Sequence, residues 1–192
     1  MGKLVISTNM SLDGVVQDPD GQEGFKRGGW FGQFGGKDLE EWGPIMLDES
    51  LHTEALLLGR HSDAWFGTRW ASRSGEWADR LNSLPKYVVS STLEEPAWTN
   101  VTVLKGDVVD EVTRLKQELD GDIVVYASYQ LVRTLIEYDL VDELRLFVFP
   151  VVVGAGERLF GETSETKPTR LVDRRTIGDN LVFLTYEIVR GS

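Results

Sequence analysis

IVVYASYQLVRTLIEYDLVDELRLFVFPVVVGAGERLF, residues 123–160, is the stretch that decides the fold class. Ile123-Val124-Val125-Tyr126-Ala127 is a short apolar, β-branched run, the pattern of a strand covered on both faces. Residues 130–138 place Leu131, Leu135 and Ile136 on one side of an amphipathic helix. Residues 144–151 are apolar again, which makes a strand–helix–strand unit. The same alternation extends outward. Lys3-Leu4-Val5-Ile6-Ser7-Thr8 reads as a first strand, and Ala55-Leu56-Leu57-Leu58-Gly59 as a buried central one. Lys86-Tyr87-Val88-Val89-Ser90 and Val101-Thr102-Val103-Leu104 add two more strands, and Asp107 opens a helix to Leu119. Residues 181–189 close the chain as a long strand. Strands alternating with helices argue an α/β class with a mixed, mainly parallel central sheet flanked by helices, and with antiparallel strands at the C-terminal end. There is no repeat, low-complexity tract or linker, so residues 1–192 are expected to form a single domain.

Composition excludes several function classes. The 192 residues are 41% hydrophobic, enough for one core. The formal charge of −11 is shared by both halves and has the wrong sign for a phosphate-backbone binder, so no nucleic acid is expected as a partner. Without cysteines, and with only His52 and His61, neither a disulfide framework nor an all-protein zinc cage can be built, and no metal is expected. No signal pattern or membrane-length apolar run occurs. The expectation is therefore an unprocessed cytoplasmic protein with no membrane association.

In a parallel sheet the ligand crevice lies beyond the C-terminal strand ends. The residues found there form a consistent set: Asn9 with Ser11-Leu12-Asp13-Gly14, then Gly59-Arg60-His61-Ser62, then Ser90-Ser91-Thr92, then Ala127-Ser128-Tyr129-Gln130. Hydroxyls, a helix start and an arginine are what hold a phosphate, so the set suggests a phosphate-bearing cofactor. Each cluster taken alone is more simply an ordinary turn or helix cap, and it is the agreement of the four that favours the cofactor reading. Gly154-Ala155-Gly156 is not a dinucleotide fingerprint, because Leu159 stands where the third glycine belongs. Asp13 is the candidate proton-handling carboxylate, with an Asp-Gly turn former as the alternative. Asp38 is read as the cap of a helix reaching about His52. Residues 21–36 hold seven glycines and suggest a mobile lid, with Trp30 and Phe31 stacking on a flat substrate ring. A permanently packed loop is the alternative. The apolar run at 144–153 exceeds what one sheet edge can hide, which suggests a homodimer.

These motifs resemble the dihydrofolate reductase-like superfamily, most closely stand-alone proteins similar to the C-terminal reductase domain of the riboflavin-biosynthesis deaminase/reductase. The carrying stretches are KLVISTNMSLDGVV (3–16), LLLGRHSDAWF (56–66), LPKYVVSSTL (84–93) and residues 123–160. The resemblance implies a single-domain dihydrofolate reductase-like fold, usually homodimeric, that binds NADP(H) and reduces a small-molecule substrate. By position it puts Asn9 and Val16 near the nicotinamide, and Gly59, Arg60, His61 and Ser62 at phosphates. Ser90, Ser91 and Thr92 would meet the adenosine ribose with its 2′-phosphate, and Ala127, Ser128, Tyr129, Gln130 and Leu131 the pyrophosphate. The chain departs from the pattern in three places. Ala127 and Ser128 replace a glycine pair, Tyr126 replaces the glutamate before it, and Asp38, Glu40 and Glu41 only loosely match the acid that binds the pterin in dihydrofolate reductases. The implied activity is hydride transfer to a C=N or C=O carbon of a heterocyclic or ribosylamine substrate. The rival is a nucleotide-binding or interaction protein that keeps the fold without turnover.

Overall fold

The computed structural model describes residues 1–190. Its elements are β1 (Lys3–Ser11), α1 (Trp30–Gly35), a 3-10 turn (Gly36–Asp38), α2 (Leu39–His52), β2 (Thr53–Gly59), α3 (Arg60–Trp70), α4 (Glu76–Ser83), β3 (Lys86–Val89), β4 (Val101–Leu104), α5 (Val108–Glu118), β5 (Asp122–Tyr126), α6 (Tyr129–Glu137), β6 (Glu143–Phe149), β7 (Thr169–Ile177) and β8 (Leu181–Ile188). The strands form one sheet in the order β4-β3-β2-β5-β1-β6-β8-β7. The first six run parallel, and β8 and β7 pair antiparallel at the end. The expected α/β architecture is observed.

Alternation of side chains divides the core in two. Leu4, Ile6, Ile123, Val125, Leu144 and Leu146 face α5 and α6. Val5, Val124, Leu56, Leu58, Phe147 and Phe149 face α1 to α4. At the lower, N-terminal ends of the strands the second face carries ions rather than hydrocarbon. Arg145 of β6 donates to Glu143 (2.6 Å), Asp122 (2.8 Å) and Glu49 (3.2 Å), and Lys3 pairs with Glu143. Burial pushes the Glu49 carboxyl up despite the guanidinium beside it and the Tyr126 hydroxyl that donates to it at 2.9 Å.

Four expectations are corrected. Residues 21–36 are a packed segment rather than a loose loop. The buried Asp18 carboxylate accepts the backbone N–H groups of Glu23 and Phe25 at 3.0 Å each, which wraps the glycine-rich turn around it. Trp30 is 1% exposed, donates its indole N–H to the Gln17 carbonyl and packs edge-on against Phe149. Phe31 is half-buried between Trp42 and Phe149. Neither ring is free to close over a ligand.

Asp38 caps no helix with its side chain. It accepts from Asp179 N (3.1 Å) and Asn180 N (2.9 Å) and so ties the β7–β8 turn to α2, while Glu41 accepts from Gly178 N. The turn hydrogen bonds, that from Asp179 foremost, lower the pKa of Asp38. Gly178 has φ 58°, and a Cβ there would stand 2.1 Å from an Asp38 oxygen, so the contact requires glycine. Finally, the run at 144–153 is no sheet edge. β6 lies between β1 and β8, and Phe147 and Phe149 are buried. The free edges are β4 and β7, and on β7 Leu171 and Val172 are exposed.

Candidate functional site

The strand-end clusters converge as the sequence suggests. Ser128, at the start of α6, accepts the Gly59 backbone N–H at 3.0 Å and donates to Ser62 Oγ at 2.7 Å, joining segments 69 and 66 residues apart. Arg60 donates to Thr92 Oγ1 at 3.1 Å and carries the contact to the next strand end. Ser90 turns the chain there, its Oγ accepting from Thr92 N and Leu93 N. Arg60, His61, Ser91, Thr92 and Gln130 are exposed, whereas Ser62 is buried. Tyr129 carries the Arg133 guanidinium over its ring, and burial, ahead of nearby Glu157, raises its hydroxyl pKa.

Two helix starts meet in this crevice. The first turns of α3 and α6 carry no side-chain cap, unlike α5, whose Asp107 accepts from Val109 N and Asp110 N. Free N-terminal N–H groups and the helix dipole favour an anion. Ala127 and Ser128 have φ 50° and 56°, both left-handed. For residues with a Cβ this conformation costs about 1–2 kcal/mol each. The backbone thus retains a glycine-like path where glycine is absent, and such strain concentrates at ligand sites.

Asp13 stands at the mouth but is occupied. Its carboxylate accepts from Ser11 Oγ (2.6 Å), Val153 N (3.0 Å) and Gly154 N (2.8 Å). Burial works against the charge, yet these hydrogen bonds hold the pKa at about 2. At neutral pH the group is therefore ionised and is no proton donor; it clamps the first loop to the segment after β6. Val16 N and Leu12 N extend that clamp by donating to the carbonyls of Glu157 and Val151, and Gly154-Ala155-Gly156 is part of it. Asp63, two residues after His61, likewise anchors backbone, accepting from Ala97 N and Trp98 N.

Sequence reasoning missed Trp42. Its indole N–H donates to Asn9 Oδ1 at 2.9 Å, across the α2–β1 gap at the upper end of β1. Tyr126 lies with its hydroxyl among the buried acids, away from the crevice. Burial and the neighbouring Glu49 raise its pKa well above the ordinary value. A cavity of about 340 Å³ lies elsewhere, between α6, β6, β8 and residues 160–169. Among the described residues there is no cluster of three or more acidic or histidine side chains suited to a metal, and no helix is long and apolar enough to cross a membrane.

Residues 2–183 match the family model described as RibD C-terminal domain. The chain is 33% identical over 106 residues to the uncharacterized protein YyaP of Bacillus subtilis; the match covers 55% of this chain and only 56% of that protein. A putative riboflavin biosynthesis protein from Shewanella sp. PV-4 superposes with TM-score 0.77 at 22% identity, over 99% of this chain and 100% of the other. Dihydrofolate reductase from Enterococcus faecalis, complexed with NADP(H), superposes with TM-score 0.62 at 14% identity over 97% and 96%. These likenesses to solved structures establish a dihydrofolate reductase-like fold.

Proposed function

The chain belongs to the RibD C-terminal domain family, and from that premise we propose that it is an NADPH-dependent reductase that delivers hydride to a C=N or C=O carbon of a small heterocyclic or ribosylamine compound. The observation that carries this reading is the joining of two uncapped helix starts through Ser128, Gly59 and Ser62, next to the left-handed pair Ala127 and Ser128. The residues fit the cofactor: backbone N–H groups for a pyrophosphate, and Arg60 with Ser91 and Thr92 for a further phosphate. NADPH, when bound, would supply the hydride. The chain's part is to hold the phosphates with residues 59–62 and 127–131, to place Asn9 and Val16 beside the nicotinamide, and to orient the substrate. Because Asp13 is ionised, it is not the proton donor of this reading. Tyr126, which stands where the riboflavin reductase has a glutamate, donates its hydroxyl to Glu49 and offers the substrate no carboxylate.

Calorimetric titration tests the assignment, with NADPH expected to bind more tightly than NADH. Arg60→Ala should reduce NADPH affinity more than NADH affinity, by about 1.5–3 kcal/mol if the guanidinium bonds a phosphate. Equal affinities for both cofactors, or no binding at millimolar levels, refute it. The second reading, a nucleotide-binding protein without turnover, draws on the ionised Asp13; NADPH binding with no oxidation by any carbonyl or imine acceptor would favour it.

We further propose a homodimer, supported now by the free β7 edge and by Leu171, Val172 and Phe160, which are 44%, 49% and 47% exposed. Light scattering should give twice the mass of one chain at micromolar concentration. A monomeric mass rejects the dimer.

A further inference from the structure

Asn9 is a half-buried amide on the face of β1 that looks toward α2. An indole N–H only donates, so the Asn9 atom 2.9 Å from Trp42 Nε1 has to be the oxygen. That contact fixes the other end of the amide. Nδ2 has no partner among the described residues, and it is not one of the enclosed polar atoms left without one, so it stays open to solvent. Trp42 is itself held edge-on by Phe31 at 5.0 Å and Trp77 at 5.6 Å, so its indole cannot swing away without breaking an aromatic cluster. The acids at the start of α2 do not compete for a ligand here. Asp38 and Glu41 are bonded to the β7–β8 turn, and Glu40 is exposed.

The upper end of β1 therefore presents a neutral, pre-oriented double donor beside an aromatic wall. We propose that Asn9 is a specificity-determining residue that selects flat-ring substrates carrying a neutral acceptor oxygen, a carbonyl, and disfavours cationic donor groups such as an amidinium. The Trp42 indole enforces the choice by preventing the amide from flipping; with its oxygen free, the same side chain would accept as readily as donate. Once a ligand covers Asn9 Nδ2 and displaces its water, a donor-only ligand leaves that N–H unpaired, and hydrogen bonds left unmade are costly. The proposal deepens the reductase reading and rests on it for placing the substrate at this end of β1.

The test uses two ligands of one shape in the full chain saturated with NADP⁺, so that the nicotinamide position is filled. Benzamide offers a carbonyl oxygen, and benzamidinium offers only donors and a positive charge. Titration followed by tryptophan fluorescence at about 0.15 M salt, which screens the long-range pull of the chain's net charge on the cation, should show benzamide binding at least tenfold tighter. Asn9→Asp should reverse the order, because a carboxylate accepts and attracts the cation. Trp42→Phe keeps the ring but removes the indole N–H, so the preference should fall toward equality. Tighter or equal binding of benzamidinium by the unaltered protein, no saturable benzamide binding, or an unchanged preference in Asn9→Asp overturns the proposal. The NADP⁺ titration is read separately. Failure to bind NADP⁺ with the benzamide preference intact strikes the cofactor assignment and leaves the role of Asn9 standing.

Discussion

Arg145→Met should lower the unfolding free energy by about 3–5 kcal/mol, the cost of leaving buried charge without its partner. Three carboxylates, Glu49, Asp122 and Glu143, share this guanidinium, and Glu49 and Glu143 are buried. Methionine fills the space of the side chain's stem but supplies no donor. The effect also has a pH signature. Burial already raises the Glu49 pKa above 4.5, and removing Arg145 removes the attraction that opposes this rise. A carboxyl with a raised folded-state pKa contributes its stability fully below the unfolded value and loses it as pH rises through the folded value. The deficit of Arg145→Met should accordingly be smallest near pH 4.5 and grow toward neutrality. Urea denaturation of both proteins across that range measures it, and coincident midpoints at neutral pH would show that the network contributes nothing.

Trp30→Ala should cost a similar amount, about 3–5 kcal/mol, because a fully buried indole is removed together with its packing. The ring holds α1 against Phe149, and its N–H bonds the Gln17 carbonyl, so the substitution loosens the whole 17–35 segment. Backbone hydrogen bonds from Gly28, Gly29 and Phe31 run within this segment, to Phe25, Asp18 and Pro19. These amides should exchange slowly in the ligand-free protein and fast in Trp30→Ala. Rapid exchange in the unaltered protein would instead restore the lid. Trp30→Phe keeps most of the apolar contact and should lose far less, which separates packing from general misfolding.

The parts of the fold legible in sequence are those whose residues are buried on both faces. β2 and β5 each hold a four-residue apolar run because helices cover both sides of the sheet there, and runs this short between turn signals are too brief for a helix. β7 was illegible for the opposite reason. Eight of its nine residues are exposed, so no alternation marks it, and it exists because β8 offers a hydrogen-bonding edge. α3 has no apolar stripe to read either, since it buries Asp63 and Gly67 against the 97–98 turn and Ser62 against Ser128.

The same division runs through the site. Which residues follow each strand is a property of the sequence alone. It placed Gly59 to Ser62, Ser90 to Thr92 and Ala127 to Leu131 at one sheet edge, because parallel strands end together. What each side chain does there depends on partners far along the chain. Asp13 became a clamp once Val153 and Gly154 approached from 140 and 141 residues away. Trp30 became core once Phe149 lay beneath it, although glycines surround it in sequence. Asn9 acquired a direction only from Trp42, 33 residues on. Composition and periodicity determine which segments pair and which face is apolar, since burial needs only residue type and spacing. The orientation of a hydrogen-bonding group and the protonation of a carboxyl are set by the few atoms within about 3 Å of it, and only the tertiary structure brings those atoms together.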